Sequence, residues 1–159
     1  MRRLALAVGL ALAASPLSAQ SHVYSSGCPG LGPAPVIQHS GGVLPGELAT
    51  ITLSGVPPLS ANALLVGTQD SSPTGEPLAI PLDGVDGCTL NTDVLCWFPG
   101  QADAAGEVTL SFLVPDSLGP QINLQFAVLE SSAPLSLIMS PALQLQIPLV
   151  ATPHAEALA

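Results

Sequence analysis

The sequence almost lacks positive charge. Its only basic residues are Arg2 and Arg3, whereas eleven aspartates and glutamates are spread over the 159 residues, for a formal net charge of −9. Binding to nucleic acid depends on lysine and arginine side chains that neutralise phosphates. Their absence after position 3 excludes a nucleic-acid partner. It also excludes arginine clamps on anionic substrates and internal salt bridges to lysine or arginine.

Aromatic residues are scarce as well. One tryptophan, one tyrosine and three phenylalanines serve the whole chain, so a predicted core has to be mostly aliphatic. Seventeen prolines and fifteen glycines interrupt the sequence. Because proline breaks helices from within, punctuation at this density argues against long helices.

Residues 1–19 have the layout of a secretory signal peptide. Arg2 and Arg3 form a basic start, residues 4–14 are apolar, and Ala19 is a small residue at the end. A helix that spans a bilayer needs about 20 apolar residues, more than this run supplies. We therefore predict export to the extracellular space or the cell surface, with cleavage after Ala19 and no membrane insertion of the mature chain.

Alternating apolar and polar residues predict short strands in the remainder. In the two clearest strands we expect Val108, Phe112, Ile122 and Phe126 to face the core. The polar residues expected to face outward are Asn123, Gln125, Gln144 and Gln146. About eight or nine short strands, spaced roughly 8–12 residues apart with turn signals between them, indicate an all-β fold: a single antiparallel β-sandwich, immunoglobulin-like or jelly-roll-like.

The chain is predicted to divide into four parts. The signal peptide at 1–19 is followed by an irregular Gly/Pro-rich lead-in at 20–35, the sandwich domain at 36–149 and a flexible tail at 150–159. A mature chain of about 140 residues suits one domain, which would bury roughly two-thirds of the surface of the unfolded chain.

In chain order the sequence contains the short motifs GCPG, GELATITL, LLVG, IPLD, GCTL, DVL, LQFAVLE and SPAL. From about residue 27 to residue 147, this series resembles a β-rich domain of unknown function found in secreted bacterial proteins. The resemblance implies a β-rich bacterial extracellular protein, with no catalytic residues to carry over. It also implies that Cys28 and Cys88 are paired, whereas Cys96 departs from the pattern.

Three cysteines in an exported chain imply one disulfide and one remaining thiol. The residues alone leave two pairings open. A Cys28–Cys88 bond would close a long loop and stabilise by about 4 kcal/mol on the chain-entropy model, and a Cys88–Cys96 bond would close a short one and stabilise by about 2.5 kcal/mol. Cys96 is flanked by apolar neighbours, so we expect it to be buried and inert, with a structural role.

The stretch 83–98 concentrates the chemically distinctive side chains. Asp83, Asp86 and Asp93 are candidate ligands for calcium, which prefers several oxygen ligands. The competing interpretation is that these carboxylates are solvated turn residues. DGVDG does not match the loop of an EF-hand, and Asp-Gly pairs are common in turns.

Trp97 in the same stretch is a candidate platform for stacking a sugar. Adjacent residues of a strand point to opposite faces of a sheet, so we expect either Trp97 or Phe98 to be exposed and the other to anchor the core. Aromatic rings contribute strongly to core energetics, which favours core packing over ligand binding.

No catalytic motif emerges from the sequence. His22, His39 and His154 are far apart, and neither H-E-x-x-H nor G-x-S-x-G occurs. We therefore predict a non-enzymatic structural or interaction module without a cofactor, whose partner is an extracellular protein or glycan. The alternative is a carbohydrate- or calcium-dependent adhesion module with its site in the stretch 83–98.

Overall fold

The computed structural model describes residues 20–28, 32–71, 73–83, 85, 87–115, 119–130 and 136–148. The predicted signal peptide and the whole of the predicted tail lie outside these residues. Every regular element in the described ranges is a β-strand, which confirms the all-β prediction. In these same ranges, no helix has the length and apolar character needed to cross a bilayer.

The described residues form eleven strands, more than the eight or nine expected. They are β1 (Gln20–Val23), β2 (Val36–Gly41), β3 (Leu48–Ser54), β4 (Ala61–Gly67), β5 (Ile80–Pro81), β6 (Thr89–Leu90), β7 (Cys96–Gln101), β8 (Val108–Leu113), β9 (Gln121–Glu130), β10 (Ser136–Met139) and β11 (Leu143–Gln146).

Two antiparallel sheets form the predicted sandwich. The larger sheet has the order β1–β11–β9–β4–β7, and the smaller one has the order β2–β3–β8. Strand β9 is central: β4 pairs with it at 123–128, while β11 and β10 pair with it at 121–124 and 127–130. The short strands β5 and β6 pair only with each other.

The core between the sheets is aliphatic, as predicted from the scarcity of aromatics. Among the described residues, Phe126 is the aromatic residue that is fully buried in this core. Aliphatic side chains such as Leu64 and Leu124 surround it. Val108, Ile122 and Phe126 are buried as predicted. Phe112 is only partly buried and packs against the core from one side.

The lead-in is more ordered than predicted, because its first residues form β1. This strand pairs with β11 from Gln20 opposite Gln146 to Val23 opposite Leu143. The chain then continues along the same edge, where the Cys28 N–H donates to the Met139 carbonyl oxygen at 2.8 Å. The sequence QSHV is short and mostly polar, so hydrophobic alternation gave no signal for a strand there.

Residues 68–95, which connect β4 to β7, cross the outer face of the larger sheet. We call them the covering segment. The Cys28–Cys88 disulfide, with a Cα–Cα distance of 4.9 Å, joins this segment to the chain that follows β1 and confirms the pairing implied by the family resemblance. Both cysteines are buried in a small second cluster with Met139, and Cys96 is a free thiol.

Replacing both bonded cysteines, Cys28→Ala with Cys88→Ala, should lower the free energy of unfolding. The cross-link spans a sequence separation of 60 residues, for which the chain-entropy model gives about 4 kcal/mol. Urea unfolding followed by Trp97 fluorescence measures the loss. Cys96→Ala is the control and should change the value by less than about 1 kcal/mol. A double variant that unfolds at the same urea concentration as the parent would contradict the expectation.

Candidate functional site

The stretch 83–98 does not form one site. Asp83 lies in an exposed turn of the covering segment, and Asp93 lies near the end of β4. Trp97 is on β7, at the edge of the larger sheet. Asp86 lies outside the described residues. The carboxylates and the indole that the sequence suggested as a single region are therefore divided between the outer face and the edge.

Asp93 holds the turn that follows β4. Its Oδ1 accepts hydrogen bonds from the N–H groups of Thr68 at 2.8 Å and Gln69 at 2.7 Å. Gly67 is required beside it, because a Cβ at that position would overlap the Asp93 main chain. These contacts give Asp93 a structural role. In the described part of the chain, no group of three or more His, Cys, Asp or Glu side chains is arranged to hold a metal ion.

The polar side chains on the outer face of the larger sheet are mostly buried, contrary to the prediction. Asn123, Gln125 and Gln144 are buried, and Gln146 alone of the predicted four is exposed. Alternation correctly assigned them to the face opposite the core. The covering segment then shields that face from solvent.

Gln125 links the covering segment to the central strand. Its Oε1 accepts from the Asn91 N–H at 2.9 Å, and its Nε2 donates to the carbonyl oxygens of Thr89 at 3.1 Å and Ser140 at 3.0 Å. The Asn91 carbonyl oxygen in turn accepts from the Tyr24 hydroxyl at 2.6 Å. A glutamine that looks like a surface residue in the sequence thus bonds its own strand to two other parts of the chain, residues 89–91 and Ser140.

Gln125→Leu should destabilise the fold although leucine has a similar size. The change leaves the Asn91 N–H and the Ser140 carbonyl oxygen without their partner, whereas the Thr89 carbonyl oxygen still accepts from Asn91 Nδ2 at 3.0 Å. Each unsatisfied buried group costs about 1–3 kcal/mol. We expect a loss of about 3 kcal/mol in urea unfolding. Gln146→Leu, on the same face but exposed, is the matched control and should change stability little. Equal effects of the two substitutions would show that Gln125 does not have this role.

Tyr24 lies in the same polar layer and is the chain's only tyrosine. Burial raises the pKa of its phenol well above the usual value, and the negative charges of Asp70 and Asp93 raise it further. The neutral phenol is the form that donates to Asn91. The native arrangement therefore favours protonated Tyr24.

Alkaline titration should detect this shift directly, because phenolate absorbance near 295 nm comes from Tyr24 alone. At pH 11 the folded protein should keep a neutral phenol, whereas the urea-unfolded chain should ionise near pH 10. The unfolded state then binds fewer protons than the folded one, so stability should fall as the pH rises above about 10. Asp70→Asn should lower the pKa of Tyr24, and Asp83→Asn, at an exposed turn, should not. Ionisation of the folded protein near pH 10 would contradict the expectation.

Both sheets end in an unpaired strand on the same side of the sandwich, β7 in the larger and β8 in the smaller. An apolar cleft of about 350 Å³ lies between them. We call this cleft and the two strands beside it the open edge. The lining residues are Leu64, Val66, Cys96, Phe98, Leu110, Ser111, Phe112, Leu113, Pro115, Ile122 and Leu124.

Two predictions about β7 were wrong. Trp97 is 60% exposed and Phe98 is 49% exposed, so neither ring anchors the core. Cys96 is exposed as well, not buried. Strand β7 is the last strand of the larger sheet, so no strand pairs with it on the side away from β4. The three-stranded sheet does not extend over it. The sequence signal for this position was Pro99, because proline within a strand is confined to edges, first positions and bulges.

Comparison with known proteins gives no relative for this arrangement. No family model, no curated protein and no solved structure matches the chain. The open edge is therefore interpreted from its own geometry, which combines exposed aromatic rings, an apolar cleft and two unpaired strands.

Proposed function

We propose that this chain is an exported, non-enzymatic module that acts by binding another molecule, and that the open edge is its binding surface. The observation that carries the proposal is the apolar cleft between β7 and β8, with Phe98 half-exposed on one side of it. Removing apolar and aromatic surface from water drives association. Contiguous exposed apolar surface on a soluble domain is typical of an interaction site.

Export is supported by three features. The disulfide is compatible with an extracellular location, since such bonds persist in oxidising compartments. The layout of residues 1–19 and the resemblance to secreted bacterial proteins favour the same compartment. We therefore place the mature protein outside the bacterial cytoplasm, released or at the cell surface.

The placement of the histidines supports the proposal that the chain is not an enzyme, because histidine is the side chain that acid–base catalysis uses most often. His22 lies on β1 of the larger sheet, and His39 lies on β2 of the smaller one. His154 is outside the described residues. Neither described histidine lines the open edge.

A second candidate function, carbohydrate binding, is favoured by the exposure of Trp97. Its ring borders a shallow groove on the outer face, together with Asn62 and Leu129. An exposed indole offers a flat apolar face on which a sugar ring can stack. The two functions use different faces of β7, so substitutions at neighbouring positions distinguish them.

Selection from a displayed library of random peptides tests the principal proposal. Selection on the mature parent protein should enrich peptides that bind the Phe98→Ser variant at least tenfold more weakly than they bind the parent. Ile80→Ser, which removes an exposed apolar side chain far along the covering segment, is the matched control and should bind like the parent. Ligands that bind the Phe98→Ser variant as tightly as the parent would contradict the proposal. Binding to a glycan array that is lost in Trp97→Ala would favour the carbohydrate alternative.

A further inference from the structure

The cleft at the open edge runs along the main chain of β8. Four consecutive residues of this strand, 110–113, line it. Side chains of consecutive strand residues alternate between faces, so all four side chains cannot point into the cleft. The Ser111 hydroxyl is hydrogen-bonded to the Thr50 hydroxyl at 2.8 Å on the exposed outer face. Ser111 therefore borders the cleft with its backbone.

The hydrogen-bonding pattern leads to the same conclusion. Just beyond β8, the Val114 N–H donates to the Glu47 carbonyl oxygen at 2.9 Å, toward β3. In an antiparallel pair, residues that bond the partner strand alternate with residues that do not. Phe112 therefore bonds β3, while Ser111 and Leu113 direct their N–H and C=O groups to the free side.

Strand β8 lacks the features that usually block pairing at an edge. Its sequence, VTLSFL, contains no proline and no charged residue, whereas natural edges are commonly protected by one or the other. Strand β7 carries Pro99 and so lacks a donor at its centre. Of the two unpaired strands, β8 is therefore the better acceptor of another strand.

The larger sheet provides a surface against which an added strand could pack. It is five strands wide and the smaller one is three. Leu64 and Val66 of β4 and Phe98 of β7 line the cleft opposite β8. A strand beside β8 would direct every second side chain onto these residues. The cleft's volume of about 350 Å³ lies within the range of about 300–1,000 Å³ that is typical of ligand pockets.

Both ends of β8 carry negative charge. Glu107 directly precedes the strand, and its N–H donates to the Asp103 Oδ1 at 2.9 Å. Glu47 lies opposite Val114 at the other end. All three carboxylates belong to exposed residues, and the sequence provides no lysine or arginine after position 3 to neutralise them. A partner with positive charges at both ends would complement this edge.

We propose that the open edge binds an extended polypeptide segment that adds to the smaller sheet as a strand beside β8. The segment has apolar side chains at alternate positions, which fill the cleft, and lysine or arginine at its two ends. This binding mode is β-strand addition, in which main-chain hydrogen bonds provide affinity and side-chain pockets provide specificity. The inference rests on the proposed function and specifies the partner of the same site.

The acetylated and amidated peptide Lys-Val-Thr-Val-Thr-Val-Lys is the probe. Titrated into the mature protein, it should bind saturably by calorimetry and change the fluorescence of Trp97. Ser111→Pro should weaken binding at least tenfold, because it removes an N–H that faces the free side, and edge strands tolerate proline. Ser111→Ala is the matched control: it loses the same hydroxyl contact, keeps the N–H and should bind like the parent.

Changes in the peptide test the inference without any change in the protein. A peptide with glutamate at both ends should bind at least tenfold more weakly at low salt, and the difference should shrink as salt screens the charges. The rearranged peptide Lys-Val-Val-Thr-Thr-Val-Lys, which has the same composition without the alternation, should also bind at least tenfold more weakly. Glu107→Gln should weaken binding of the lysine peptide and strengthen binding of the glutamate peptide.

Three outcomes would overturn the inference. Peptide binding that is unaffected by Ser111→Pro and by charge reversal would exclude strand addition but leave binding at the cleft intact. If none of the three peptides binds, while binding of a library-selected ligand still depends on Phe98, strand addition is likewise excluded and binding at the cleft remains. Dimerisation that Ser111→Pro abolishes, without peptide binding, would identify a second copy of the chain as the occupant. The proposed function itself fails only if the library also yields no ligand that depends on Phe98.

Discussion

Strand β9 has two unlike faces, and its first half buries both of them. Its inner face is apolar and packs in the core through Ile122, Leu124, Phe126 and Val128. Its outer face carries Asn123 and Gln125, which are also fully buried. The apolar face needs only another apolar layer, and the smaller sheet provides it. The polar face needs specific partners, because a buried amide without hydrogen bonds costs more free energy than the bonds gain when they form.

The second requirement explains the covering segment. Residues 68–95 bring the backbone of Thr89 and Asn91 to the amide of Gln125, and Cys88 bonds this region to Cys28. The path of the segment is thus set by directional bonds and one covalent link, together with a small apolar cluster in which Leu82, Val85 and Leu90 pack around the disulfide. A chain with few aromatics and many prolines can still form a third layer in this way.

The open edge follows from the widths of the layers. The covering segment shields the outer face of the larger sheet, and three strands shield only part of the inner face. Strand β7 therefore keeps Phe98 exposed on the inner face. Edge strands are commonly protected by lysine or proline. This chain has no lysine to place there. Of its two prolines at this edge, Pro99 lies on β7 and Pro115 follows the end of β8, so β8 itself contains none.

Local patterns in the sequence predicted those features of the fold that depend only on residues close together in the chain. Alternation located the strands that became β8 and β9 and assigned Val108, Ile122 and Phe126 to the core. It could not show that Gln125 would be covered, because a period of two residues identifies a face and not what packs on it. The exposure of Phe98 depends on the relative widths of two sheets. That property arises from strand order and has no signature within any single strand.

The lack of lysine and arginine connects the interior with the open edge. Buried polar contacts have to be made largely by neutral amides: Gln144 donates to Asp70 at 2.8 Å where another protein would use a cation. An amide both donates and accepts, so such a network satisfies strand backbones without the cost of desolvating an ion pair. On the surface the same absence leaves Glu47, Asp103 and Glu107 without an internal counter-charge. On our proposal the bound segment provides the positive charge beside β8, so the composition of the chain accounts for the selectivity of the edge.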